Sequence, residues 1–173
     1  MITATVRKQT DVVWEREVED LFREHYGFMY RAAYAVIGRR AEAEDVIQNL
    51  FLKLVPRELP PEIGTNPKGY LHRSAVHASL NVNRSRDRRK ETDGVEELEI
   101  ADTVTGRAND NVRNKLRDMF AKLKPHAVEI LILHCEQGYS DAEIAELFGQ
   151  SRSKIASILC RARAQLKKAA GDH

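Results

Sequence analysis

Residues 139–168 constrain the fold of this chain most, because two short helical patterns there are separated by one glycine. Ser140 and Glu143 have the spacing of a capping box, in which each side chain bonds to the backbone N–H of the other residue. Gly149 tolerates the left-handed backbone that ends a helix. A second amphipathic helix starts at about Ser151, and its inward side chains are Ile155, Leu159 and Ala162. The segment therefore predicts a helix-turn-helix.

The outward face of that second helix combines cations with small hydroxyl groups, at Arg152, Ser153, Lys154, Ser157 and Arg161. Guanidinium, ammonium and hydroxyl groups bond to DNA phosphates and to base edges in the major groove. The alternative is an ordinary helical hairpin with a solvated basic face. The tight turn and the placement of the cations favour DNA binding.

The rest of the chain divides at an acidic segment. Helical periodicity fills roughly residues 12–90 and 110–170, whereas residues 91–111 hold seven acids against one cation. We therefore predict an all-α protein with two small helical domains, residues 1–90 and 112–173, joined by an acidic linker. That linker is either a flexible connector or a strap that covers a basic surface.

Composition excludes several classes of protein. Cys135 and Cys160 lie in separate apolar helical patterns without a CxxC pair, so we expect buried thiols. His134 adjoins Cys135 but points elsewhere on a helix, and no second pair completes a metal site. The chain has no run of 18 apolar residues and no apolar run of signal-peptide length, so we expect a cytoplasmic protein. No nucleophile–base pair or phosphate loop is present, so we predict neither an enzyme nor a cofactor.

The first domain opens with a long amphipathic pattern from Val18 to Ile37, which Gly38 ends. Its aromatic rings are either a core or a platform on which bases stack, and the helical spacing favours a core. The rings belong to Phe22, Tyr26, Phe28, Tyr30 and Tyr34.

The second helix of the first domain follows in residues 39–55; it is amphipathic and has two distinct faces. Its inward stripe is apolar, with Val46, Ile47, Leu50, Phe51 and Leu54. Its outward strip mixes acids, amides and one aliphatic side chain, in Glu44, Asp45, Gln48, Asn49 and Leu52. A strip of this kind either docks on a partner helix or stays solvated, and the spacing leaves both alternatives open.

A third helix begins after Asn66, which has the side chain of an N-cap, with Pro67 at the first helical position. Its C-terminal end is strongly basic, with Arg84, Arg86, Arg88, Arg89 and Lys90. Cations at a helix C-terminus complement the helix dipole. Five in seven residues exceed that need and favour a surface for phosphates.

Three segments, in this order and spacing, resemble the extracytoplasmic-function (ECF) group of bacterial sigma factors: AEDVIQNLF (43–51), NPKGYLHR (66–73) and RARAQL (161–166). The resemblance extends from about Glu17 to Lys168. It implies that the first domain binds core RNA polymerase and opens the −10 element, and that the second domain reads the −35 element of promoter DNA. It also implies an anti-sigma factor as a partner.

Individual residues carry this resemblance. Asp45 and Gln48 match the helix that meets the clamp of the polymerase, so the outward strip of the second helix becomes a candidate docking face. The basic run from Arg84 to Arg89 matches the stretch near the −10 DNA, and Arg161 matches an arginine of the recognition helix. Candidate DNA contacts in the third helix also include Arg73 and His77.

The chain departs from the family pattern at several positions. Asn49 replaces a usual glutamate, and Tyr70 replaces a usual tryptophan. Ala75-Val76-His77 stands where relatives have Ala-Arg-Asn, and Ile155-Ala156-Ser157-Ile158 where they have Val-(Lys/Arg)-Ser-Arg. These changes remove cations from helices that face DNA, so the promoter sequence stays open.

Two other functions compete with a sigma factor. A sigma-like decoy would sequester an anti-sigma factor, and the missing cations favour it. A stand-alone helix-turn-helix regulator would bind operators without polymerase, but it would leave the outward strip of the second helix without a purpose.

Overall fold

A computed structural model describes residues 2–55, 60–93 and 107–171 of the chain. These residues form eight α-helices and contain no strand, which confirms the all-α prediction. The helices are α1 (Ile2–Ile37), α2 (Arg40–Leu54), α3 (Pro61–Thr65), α4 (Pro67–Asp93), α5 (Arg107–Ala121), α6 (Pro125–Cys135), α7 (Asp141–Phe148) and α8 (Arg152–Gly171).

Helices α1 to α4 form the first lobe, in which α1 packs along both α2 and α4. Gly38 has a φ of 76°, and this left-handed backbone turns the chain between α1 and α2. The rings of Phe22 and Phe51 meet edge to face with centroids 4.8 Å apart. The buried centre of the lobe consists of Met29, Ala33, Val36, Ile47, Leu71 and Ala75. The amphipathic patterns expected for the first two helices therefore face this centre.

Helices α5 to α8 follow the linker and form the second lobe, with α6 at its centre, and α5 also packs on α1 and α4 of the first lobe. Every residue of α6 from Val128 to Leu133 is buried. The apolar side chains of α7 and α8 pack on it, chiefly Ile144, Ile155, Leu159 and Ala162. Burying one isoleucine or leucine side chain stabilises the fold by about 1.5–3 kcal/mol. The apolar helical pattern expected around Cys135 is thus present as α6.

Helical structure extends into both ends of the predicted acidic linker, residues 91–111. Helix α4 continues through Asp93, and α5 begins at Arg107. Residues 94–106 lie outside the described residues. The choice between a flexible connector and a strap concerns this segment and stays a prediction.

Two expectations about burial are wrong. Cys135 and Cys160 are exposed, because Cys135 ends α6 and Cys160 lies beside the buried stripe of α8. Tyr26 is 42% exposed, because it stacks on Tyr30 outside the core, with ring centroids 6.1 Å apart. Within the described ranges, no group of three or more His, Cys, Asp or Glu side chains could hold a metal ion. None of the described helices combines the length and apolarity needed to cross a membrane.

Candidate nucleic-acid and polymerase interfaces

The helix-turn-helix forms as its sequence predicts. Ser140 Oγ accepts a hydrogen bond from the Glu143 N–H at 3.3 Å, and the Glu143 carboxylate accepts one from the Ser140 N–H at 2.8 Å. The hydrogen bonds from Ser140 hold the pKa of Glu143 below its usual range. Gly149 takes the left-handed conformation, with a φ of 60°, and ends α7. Ser151 Oγ then accepts from the Lys154 N–H at 3.3 Å at the start of α8.

The outward face of α8 is fully available for contact. All five candidate DNA-binding side chains are exposed: Arg152, Ser153, Lys154, Ser157 and Arg161. The Arg161 Nε–H donates to the carbonyl oxygen of Ser157 at 3.3 Å, which orients the guanidinium along the helix. Ala156 is exposed, whereas Ile158 is half-buried and packs on the core of the lobe. Ile158 therefore lies at the border of the basic face.

The outward strip of α2 is also exposed along its length, at Glu44, Asp45, Gln48, Asn49 and Leu52. Leu52, the one aliphatic residue of the strip, is 64% exposed. Val46 and Ile47 on the opposite face are buried and hold the helix in place. The pKa of Tyr30 is raised, mainly by burial and also by the nearby Glu44 carboxylate. The strip therefore lies next to the aromatic side of α1.

The arginines at the basic C-terminal end of α4 differ in their exposure to solvent. Arg84, Arg88 and Arg89 are exposed. Arg86 is buried and forms an ion pair with Glu42 of α2. This burial does not fit the expectation that Arg86 contacts phosphate, because α4 turns that position towards α2. The Asn83 amide, which donates to the carbonyl oxygen of Val36 at 3.0 Å, fixes the same face of α4 on α1.

Arg73 and His77 lie on α4 at the contact between the lobes, and each side chain is 48% exposed. The His77 Nε2–H donates to the Glu129 carboxylate of α6 at 2.6 Å. The Arg73 guanidinium lies 3.9 Å from the same carboxylate and 5.7 Å from the ring centroid of Phe148. Sequence reasoning missed Glu129. Its signal is a lone acid in the apolar run AVEILIL, which predicts a buried charge with partners.

The fold and its exposed faces define a two-lobed helical protein with a helix-turn-helix in the second lobe. Two family models match it: Sigma-70 region 2 over residues 21–89, and Sigma-70, region 4 over residues 113–166. The two matches together span most of the chain, which belongs to the sigma-70 family. It is a sigma factor of the ECF type, and proteins of this kind act in transcription initiation.

The similarity to known proteins extends over most of this chain and most of each relative. The chain is 28% identical over 156 residues to RNA polymerase sigma factor YlaC of Bacillus subtilis (strain 168), a match that covers 87% of this chain and 90% of that relative. It is similar in fold to CnrH, solved with the cytosolic domain of CnrY, at 20% identity and a TM-score of 0.52, covering 91% of this chain and 89% of CnrH. It is also similar to the sigma factor RpoE from Bartonella quintana, solved with the anti-sigma factor NepR, at 19% identity and a TM-score of 0.51, covering 90% and 98%.

Proposed function

We propose that this sigma factor binds core RNA polymerase through the outward strip of α2 and promoter DNA through α4 and α8. The observation that carries the proposal is the exposure of all five strip residues on α2 together with all five candidate residues on α8. Both helices bury their opposite faces, so the exposed faces are held rigidly. The protein acts by binding, and the polymerase supplies the catalysis.

Helix α8 is the −35 reader in this proposal. Its N-terminal residues Arg152 and Lys154 can donate to phosphates or to guanine. The Ser157 hydroxyl can donate to or accept from a base edge. Ile158 packs on the core and adds at most an apolar contact, where relatives have an arginine. The upstream element should therefore contain fewer guanine contacts than the usual element of the group.

Helix α4 is the −10 surface. Arg84, Arg88 and Arg89 supply charge for the phosphate backbone. Opening of the promoter requires no catalytic residue, because a protein that binds separated bases better than paired ones offsets the few kcal/mol that unstacking costs. Arg73 and His77 extend this surface towards the N-terminal end of α4.

The strip of α2 fits a protein partner better than DNA. Glu44 and Asp45 would repel phosphates, whereas Leu52 offers an exposed apolar anchor of the kind that protein interfaces bury. Core polymerase is the partner that the family assigns to this helix. The sigma factor would then work in the cytoplasm, where polymerase and chromosome are found.

An anti-sigma factor is the second partner that we infer. CnrH is solved in complex with the cytosolic domain of CnrY, and RpoE of Bartonella quintana with the anti-sigma factor NepR. A sigma-like decoy remains the alternative function, because Ala156 and Ile158 stand where relatives carry cations.

Transcription from a promoter library tests the proposal. Purified protein is added to core polymerase with random upstream sequences, and the transcripts are sequenced. A sigma factor yields transcripts with a shared −35 and −10 pattern, and the double change Asp45→Arg with Gln48→Ala abolishes them while circular dichroism stays unchanged. Glu24→Arg, a charge reversal at another exposed position, on α1, is the control. No enriched promoter together with retained anti-sigma binding would establish the decoy.

A further inference from the structure

A cavity lies in the apolar core that both lobes share, at the place where α1, α5, α6 and α8 meet. Its volume is about 370 Å³. Val36, Leu131 and Ile132 are the most buried residues of its lining, each at most 4% exposed, and they form its floor. Cavities that hold small molecules have volumes from about 300 Å³ upward. The cavity is therefore large enough for a small ligand.

The walls of the cavity are also apolar. The half-buried side chains of Phe120 and Leu166 continue the lining above the floor. Leu116 lies one turn before Phe120 on α5 and is 41% exposed at the mouth. A ligand in the cavity would remove the surface of these side chains from water, which is favourable when the ligand surface is apolar. The lining thus favours a ligand with an apolar body.

One charged side chain belongs to the lining. Glu136 carries the only formal charge among the described residues that line the cavity. It is exposed, and its carboxylate forms no ion pair with another described residue. A carboxylate at the mouth of an apolar cavity attracts cations and repels anions. The charge of the lining therefore favours a ligand that carries a positive group.

Two helices end at the cavity, and their ends favour the same sign of charge. The last turn of α1 contributes Val36, followed by Gly38, and the last turn of α6 contributes Ile132 and Cys135. The C-terminal end of a helix carries a partial negative charge and stabilises a cation nearby. Both helix ends therefore add to the effect of Glu136.

We propose that the cavity is a binding site for a small amphipathic amine. The apolar body of the amine fills the space over Val36 and Ile132, and its ammonium group lies at the mouth beside Glu136. None of the residues that line the cavity belongs to the exposed faces of α2, α4 and α8 that the proposed function assigns to polymerase and DNA. Occupation of the site can therefore be measured without either partner.

Three probes with the same apolar body separate the effect of charge from that of burial. Phenylbutylamine, phenylbutanol and phenylbutanoate carry a cationic, a neutral and an anionic end group at about pH 7. The two cysteines report occupation, because Cys135 lines the cavity, whereas Cys160 is exposed outside its lining. The full-length protein is alkylated with iodoacetamide at increasing probe concentration, and mass spectrometry of the peptides gives a rate for each cysteine.

We expect phenylbutylamine to slow the alkylation of Cys135 and to leave the rate at Cys160 unchanged. The concentration dependence of this protection should show that the amine binds on the order of threefold to fivefold more tightly than the alcohol, as one exposed ion pair would provide. The carboxylate should bind more weakly than the alcohol. Equal protection by the amine and the carboxylate would overturn the proposal. Protection of both cysteines alike, or no protection of Cys135 by any probe, would also overturn it.

A change of charge tests the role of Glu136. Glu136→Gln keeps the apolar lining and removes the carboxylate, so the preference for the amine over the alcohol should shrink. Glu146→Gln makes the same change at an exposed position outside the lining and is the matched control, in which the preference should match that of the parent. An undiminished preference in Glu136→Gln would mean that the ammonium group does not lie beside Glu136, and the proposed site would be wrong.

A change of volume tests the role of the cavity. Ala35 lines the cavity from α1, and Ala35→Phe places a larger side chain in this space. All three probes should then fail to protect Cys135, while circular dichroism stays that of the parent. Protection that persisted in folded Ala35→Phe would place the probe elsewhere and contradict the proposal. If Ala35→Phe failed to fold, the parent protein and Glu136→Gln would still decide the outcome.

Discussion

At the scale of single residues, His72 links folding to pH. Its ring is completely buried, and Nδ1 has no hydrogen-bond partner among the described residues. Burial lowers the pKa of His72 from 6.5 to about 4, despite the hydrogen bond to the Glu129 carbonyl. The neutral imidazole is therefore the form that the folded protein accommodates.

We expect the protein to lose stability as the pH falls from 6.5 towards 4. The unfolded chain takes up a proton in that window and the folded chain does not, so protonation favours unfolding by up to roughly 3 kcal/mol. Glu129 acts in the same direction at lower pH, because its pKa is lowered and its contribution disappears as the carboxylate protonates. Urea unfolding at about pH 7 and about pH 5 checks this. In His72→Gln the difference between the two pH values should shrink, and an undiminished difference would assign the effect to other groups.

Ala156 and Ile158 give a second contrast between neighbouring residues. Ala156→Arg adds a cation at an exposed position of α8, so it should strengthen binding to DNA without changing the melting temperature. Ile158→Arg forces a charge against the core, so it should destabilise the protein by about 1–3 kcal/mol. Thermal melts and selection of binding sites from random DNA report both effects. Equal melting temperatures for the two variants would show that Ile158 is not part of the core.

At the scale of the element, the basic end of α4 combines two functions in one run of arginines. The exposed members point away from the lobe, and Arg86 joins α4 to α2 through Glu42. Glu42 also accepts from Arg39 at 2.9 Å, so it keeps one partner if Arg86 is removed.

We predict opposite outcomes for two sets of changes in α4. Replacing Arg84, Arg88 and Arg89 by alanine should lower the salt dependence of DNA binding, by a log–log slope of up to about 0.9 for each phosphate that the protein no longer neutralises. The melting temperature should stay the same. Arg86→Ala should leave the slope unchanged and cost about 1–3 kcal/mol of stability, since Glu42 retains Arg39. A lower slope in Arg86→Ala would mean that Arg86 reaches DNA in the complex.

The elements were largely predictable because their signals are local. The capping box of Ser140 and Glu143, the stop at Gly149 and the N-cap at Asn66 are each set within a few residues, and each is present, with the Gly69 N–H donating to Asn66 at 2.9 Å. The burial of Arg86 was not predictable, since periodicity cannot say which of several adjacent cations meets an acid on another helix.

At the scale of the whole molecule, the sequence signals a buried charge at Glu129 but not which helix supplies its partners. His77 and Glu129 are separated by 52 positions, and a single polar pair at that distance has no period. Arg73 and His77, which the sequence assigned to DNA, both lie beside Glu129 of the second lobe, and His77 donates to its carboxylate.

The strip of α2 is exposed along its length, so it is available to core polymerase. Leu52 offers the largest apolar surface on the strip, and Leu52→Asp should weaken binding to core polymerase by at least about tenfold. Its melting temperature should match the parent, because a side chain that is 64% exposed contributes little to the core. Val112→Asp on α5 is the control, since Val112 is a comparable exposed apolar residue of the second lobe, at 54% exposure. Fluorescence titration of labelled protein with core polymerase measures both. If Val112→Asp weakened binding as much as Leu52→Asp, the loss would not be specific to the strip of α2, and the strip would not be the polymerase-binding face.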